Sequence, residues 1–133
     1  MSVNRENEEV NAGTVELPGN MNETALEQLK KKYQASGEKV YIIENSISID
    51  DDTVENFAFL FRKPKPASYD RYLKLINNSV SKASRAFIMD NIVEEMKGQI
   101  SDTLEEYPAM SISLTEKLLK MLGLADTTTV KKL

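Results

Sequence analysis

The chain has 133 residues, a formal charge of −4 and no Cys, His or Trp. Those absences exclude a disulfide framework, a Cys/His zinc site, a Cys nucleophile and any His-based triad or proton shuttle. With 41% hydrophobic and 29% charged residues, the composition is that of a globular chain of one-domain length, too acidic as a whole for a basic nucleic-acid binder.

In chain order, residues 1–20 set Arg5 against Glu6, Glu8, Glu9 and Glu16 and hold little apolar surface. That composition predicts a disordered N-terminal arm. Asn22 is placed to cap a helix over 22–35, with Glu23 in its first turn. Leu26, Leu29 and Tyr33 recur on one helical face, Lys30, Lys31 and Lys32 suit the C-terminal end, and Gly37 is the stop. Residues 39–62 read as a β-hairpin. KVYIIE at 39–44 is β-branched and aromatic, the acidic stretch around Asp50–Asp52 is the turn, and Ser46–Ile49 is a candidate third short strand. Phe57, Phe59 and Phe61 alternate with Ala58 and Leu60, so the three rings share one face that helices must cover.

Pro64 and Pro66 end the strand, and Ser68 is placed to cap the next helix with Asp70 in its first turn. Tyr69, Tyr72, Leu73 and Ile76 form an amphipathic stripe. Asn77 and Asn78 break it. A helix over about 82–96 carries Ile88, Met89, Ile92, Val93 and Met96, with Gly98 as its end. Asp102–Glu106 reads as a short helical turn before Pro108. A last helix, about 111–123, places Leu114, Leu118, Met121 and Leu122 on one face and stops at Gly123. The expectation is an α+β fold, mostly helical, with a small hairpin packed against a helical bundle. It forms one domain over 21–124, followed by a flexible tail at 125–133. No signal-peptide pattern and no run of about 18 apolar residues occurs, so the expected location is the cytoplasm, with no membrane partner.

Few constellations carry chemistry. Asp50–Asp52 departs from the alternating ligand pattern of a calcium loop, because Val54 and Glu55 stand at its fifth and sixth positions. The basic run Arg62, Lys63, Lys65 is short and flanked by acidic sequence, which disfavours nucleic acid. Glu94–Glu95 and Glu105–Glu106 are adjacent pairs, and neighbours on a helix diverge by about 100°. No nucleophile motif or Gly-rich phosphate loop occurs, so the reading is a protein without catalysis, cofactor or metal. Met89 and Met96 read as core, whereas Met110 and Met121 read as more open. The last helix is apolar over more than one face, since Leu118 and Leu119 point to different flanks. Such an excess suggests a partner or a homo-oligomer.

The order of these features resembles a known family. FLFRKP at 59–64 leads into SYDRYL at 68–73, and YPAMSISLTEKL follows at 107–118. This pattern, over residues 39–123, resembles the tail assembly chaperones of long-tailed bacteriophages. The resemblance implies a protein absent from the finished virion that binds the tape-measure protein, keeps it soluble and helps recruit tail tube subunits. It leaves residues 1–38 without a matching motif. For such work the candidate apolar contacts are Leu118, Leu119, Met121, Leu122 and Leu124, and the candidate polar rim is Arg62, Lys63, Tyr69 and Arg71. The alternative is a small structural virion component, a tail or baseplate adaptor.

Overall fold

The protein is described by a computed structural model over residues 23–133. The expected arm at 1–20 and the Asn22 cap lie outside the described residues. The fold is α+β, with five α-helices and a two-stranded antiparallel sheet among the described residues. Two compact units divide the chain, Met1–Leu60 and Phe61–Leu133.

In the first unit, helix α1 spans Glu23–Ala35. Its end is set by Gly37, whose φ of 83° lies in the left-handed region. The Gly37 N–H donates to the Gln34 carbonyl at 3.0 Å and the Glu38 N–H to the Tyr33 carbonyl at 2.8 Å. Those two bonds are the paired closure of a Schellman motif. Strand β1, Val40–Asp50, and strand β2, Thr53–Arg62, follow as a hairpin. The reversal is Asp51–Asp52, where the Asp50 carboxylate accepts the Asp52 N–H at 2.8 Å. That bond, helped by Thr53, holds the Asp50 carboxyl below its ordinary value.

The strands differ from expectation in two ways. Ser46–Ile49 is no third strand. Ile47 and Ile49 alternate with Ser46 and Ser48, so the extended backbone of β1 continues unbroken to the turn. The ring face of β2 is covered as expected, but it is not the only covered face. Phe59 and Phe61 are buried and Phe57 half-buried, but Ala58 and Leu60 on the opposite face are buried too. Helix α1 packs against β1. Tyr33 and Ile43 are buried, and Lys32 Nζ stands 5.5 Å from the Tyr33 ring centre.

The second unit begins with the last two residues of β2. It continues as helix α2 (Pro66–Ile76), helix α3 (Val80–Asn91), a 3-10 turn (Glu94–Met96), helix α4 (Lys97–Glu106) and helix α5 (Met110–Met121). Lys65, not Ser68, is the N-cap of α2, because Pro66 takes the first helical position, where its missing N–H costs nothing. Ser68 lies one turn further in and is buried. Helix α3 starts earlier than expected, since the Ser79 hydroxyl accepts the Lys82 N–H at 3.1 Å.

The expected helix over 82–96 is split. Ile92 (ψ 150°) and Val93 (ψ 149°) are extended. The cause is tertiary: Ile92 leaves the helix to make an antiparallel bridge with Phe61. Gly98 does not end a helix but sits in the first turn of α4, which is a full helix of ten residues rather than a short turn.

The core of this unit gathers Phe61, Phe87, Ile88, Ile92, Val93, Met96, Ile100, Leu104, Met110, Leu114 and Leu118. Tyr72 stacks on Phe87, tilted by 34° with ring centres 4.9 Å apart. Met96 is core as expected, Met89, also expected in the core, is half-buried, and Met110, assigned by the sequence to neither core nor surface, is buried. Arg85 ties α3 to α4 by donating to the Ser101 carbonyl at 3.3 Å and pairing with Glu105 at 3.4 Å.

One polar atom in this core is unsatisfied. The Thr115 hydroxyl of α5 is buried without a hydrogen-bond partner. A lost partner costs about 1–3 kcal/mol at a buried site, whereas removing the polar group itself is close to neutral or favourable. Thr115→Val, which keeps the β-branched shape, is expected to stabilise the protein by about 1 kcal/mol. Calorimetry should show a Tm higher by a few degrees.

Candidate docking groove

Helix α2 and the end of α5 leave an apolar groove of about 520 Å³ in the second unit. Pro66, Tyr69, Tyr72 and Leu73 form one wall, and Leu119, Leu122, Gly123 and Leu124 form the other. The α2 stripe explains the first wall. Tyr72 is buried against Phe87, whereas Tyr69 (37%) and Leu73 (43%) keep exposed flanks. The stripe is thus wider than the core can cover.

The second wall depends on how α5 stops. Gly123 has φ 105°, its N–H donates to the Lys120 carbonyl at 3.1 Å, and the Leu124 N–H donates to the Leu119 carbonyl at 3.0 Å. This second Schellman closure turns the chain back, so Leu124 lines the groove with Leu119 instead of running on into solvent. Lys120 and Asp126 form an ion pair just beyond. The hydrogen bond and charge of Lys120 hold the Asp126 carboxyl below its ordinary value, and Asp126 raises Lys120 in return. The tether is therefore intact at neutral pH and is lost as pH falls through the depressed Asp126 value.

Helix α2 is held in place by a polar cluster at the end of α3. Arg71 donates to Asp90 Oδ2 through Nε at 3.1 Å and Nη2 at 2.8 Å, and Ser68 Oγ donates to the same oxygen at 3.2 Å. Asn91 Nδ2 donates to Ser68 Oγ at 2.9 Å and to the Phe87 carbonyl at 2.7 Å. Arg62 donates to the carbonyls of Asp90 at 3.4 Å and Ile92 at 3.2 Å, where α3 ends and its carbonyl dipoles favour a cation.

The candidate residues read from the sequence separate into groups. Tyr69, Leu119, Leu122 and Leu124 meet in the groove. Met121 is half-buried beside it in sequence but does not line it. Leu118 is fully buried and has no surface to offer, because its flank of α5 faces the core. Arg62 and Arg71 are engaged within the unit, and Lys63 is exposed. Pro66, Tyr72, Leu73 and Gly123 line the groove although sequence reading gave them other roles; the apolar excess of the α2 stripe was the available signal. Among the described residues no cluster of three or more Asp, Glu, His or Cys is placed to hold a metal ion, and no helix is long and apolar enough to cross a membrane.

Residues 29–131 match the family model described as a domain of unknown function, DUF6848, and the chain belongs to that family. No curated protein matches it. Among solved structures it is similar to the uncharacterised protein RBSTP2171 from Bacillus stearothermophilus, with 24% identity and a TM-score of 0.63. That match covers 80% of this chain and 99% of the other, and it shows a shared fold.

Two substitutions test what builds the groove. A Cβ at Gly123 would meet nothing within 4 Å, so Gly123→Ala acts only through the positive φ. It is expected to cost about 1 kcal/mol by denaturant titration and to loosen Leu124, read by methyl NMR. Asp90→Ala removes the acceptor shared by Arg71 and Ser68. Because the ion pair is partly exposed, a loss of about 1 kcal/mol is expected, and Arg71→Ala in that background should add little.

Proposed function

We propose that this DUF6848 protein is a non-catalytic chaperone that receives an apolar helix face in the α2/α5 groove, in its most specific form a tail assembly chaperone acting on a tape-measure protein. The observation that carries the reading is the meeting of Tyr69 with Leu119, Leu122 and Leu124 along one groove. An amphipathic helix presents apolar anchors at i, i+3, i+4 and i+7, which suits an elongated apolar slot. The groove-bearing unit, Phe61–Leu133, holds twelve Lys and Arg against nine Asp and Glu, while Met1–Leu60 holds five against twelve. A partner segment with apolar anchors and acidic flanks therefore complements the second unit.

The work asked of such a site is coverage of a partner's apolar face until assembly covers it. Burial of apolar area supplies the affinity at about 25 cal/mol per Å² before the costs of association. Recruitment of tail tube subunits belongs to the same reading, as a second contact made while the tape-measure segment is held.

Co-expression with a tape-measure protein tests it. The wild-type chain is expected to keep that protein in the soluble fraction. Leu119→Asp with Leu124→Asp should weaken the complex by roughly tenfold or more, because each places a charge in the apolar wall. The variant must keep its circular dichroism spectrum. Unchanged tape-measure solubility with a folded double variant would overturn the assignment. Stoichiometric presence of the protein in purified particles, read by mass spectrometry, would favour the virion-component role instead.

A further inference from the structure

Strand β1 offers an open edge in the first unit, among residues that the groove does not use. Among the described residues it pairs with β2 alone, leaving the other row of its backbone groups without a strand. Edge strands are normally blunted by Pro, a bulge, Lys or short length. Val40–Asp50 is long, eleven residues, and its sequence VYIIENSISID holds no Pro, Gly or Lys. A two-stranded sheet gains stability from packing against a helix, here α1, or from further strands.

The strand is self-complementary. Its centre is Asn45, with five residues on either side. Two copies meeting antiparallel across a twofold axis normal to the sheet must pair residues of equal parity, because paired side chains share a face. Placing the axis at Asn45 pairs Tyr41 with Ile49, Ile43 with Ile47, Ile42 with Ser48 and Glu44 with Ser46. Lys39 then falls opposite Asp51, and the whole of Val40–Asp50 is used. Moving the axis by one residue toward the N-terminus sets Glu44 against Glu44 and Glu38 against Asp50, both repulsive. Moving it the other way sets both Tyr41 against Asp51 and Ile42 against Asp50 and loses the Tyr41–Ile49 match, whereas the central register sets only Val40 against an acid, Asp50.

Exposure agrees with the central register. Tyr41 (40%) and Ile49 (48%) are exposed at the two ends of a face on which Ile43 is buried and Asn45 and Ile47 are half-buried. In the paired state each would lie against the other's partner copy. We propose that β1 is a homodimerisation edge: two copies join β1 to β1 in antiparallel register about Asn45, giving one continuous four-stranded sheet in the order β2–β1–β1–β2. This goes beyond the groove reading, and either can fail without the other.

The full chain tests it, helped by the absence of native cysteine. Sedimentation velocity between about 1 and 100 µM, a range suited to a modest self-association, is expected to show a species of twice 15.0 kDa that gains weight with concentration. Under oxidised glutathione, Asn45→Cys is expected to give a covalent dimer, since directly opposed Cβ atoms lie about 4.5–5.5 Å apart. Ser46→Cys should not, because in this register its two copies are offset by two residues and exceed the roughly 7 Å Cα limit for a disulfide. Ile49→Lys, at an exposed position, should weaken the dimer several-fold with an unchanged circular dichroism spectrum. A mass that stays monomeric across the range overturns the proposal, and so does a monomer whose β1 amides are all protected from hydrogen exchange by another segment of the chain. Equal crosslinking of Asn45→Cys and Ser46→Cys overturns the register and with it the proposal.

Discussion

The second unit depends on how helix α3 is closed. Any helix leaves its last carbonyls without intrahelical partners, and here they are met by tertiary contacts. Ile92 swings into extended geometry and bridges to Phe61, while Arg62 donates to the carbonyls of Asp90 and Ile92. The Asp90 carboxylate then takes Arg71 and Ser68, and Asn91 ties Ser68 to the Phe87 carbonyl. One helix end thus gathers donors from β2, α2 and α3. The α2 helix is held by its polar side at this cluster and by Tyr72 on Phe87, and its remaining apolar flank becomes a groove wall.

The groove is therefore a consequence of surplus. Both α2 and α5 carry more apolar surface than a single core contact can hide. Helix α5 buries Leu114, Thr115 and Leu118, and its next flank, Leu119 and Leu122, is left beside the flank of α2. A glycine with positive φ at 123 adds Leu124 to that flank at the cost of some helix-end freedom. An ordinary residue at that place would favour continuing the helix or leaving it at another angle, and the wall would lose its third leucine.

The first unit is governed by a different constraint. A hairpin satisfies one edge of each strand, so among the described residues the eleven-residue β1, with no Pro, Gly or Lys, has a second edge that pairs with no strand. Pairing confined to one register is the solution compatible with its alternating Tyr41, Ile43, Ile47 and Ile49.

Much of the fold was legible in local pattern. The hairpin at 39–62, the first helix, the α2 stripe and the stops at Gly37 and Gly123 follow from short-range chemistry: β-branched runs, helical periodicity and the need for a residue that tolerates positive φ. The apolar excess near the C-terminus was legible too, and Leu119, Leu122 and Leu124 were found through it. What local pattern misjudged was decided at long range. Ile92 and Val93 continue a helical stripe perfectly well, and only the bridge to Phe61 takes them out of the helix. Ser68 is a good cap by type, yet Pro66 claims the helix start and Asp90, 22 residues on, claims its hydroxyl. Leu118 and Leu119 are equally apolar, and the core takes the first and leaves the second. The sequence by itself determined an α+β chain without Cys or His chemistry and with apolar surface to spare. Only the tertiary structure decided which of that surface is core and which is groove, because periodicity marks a face without naming the neighbour that covers it.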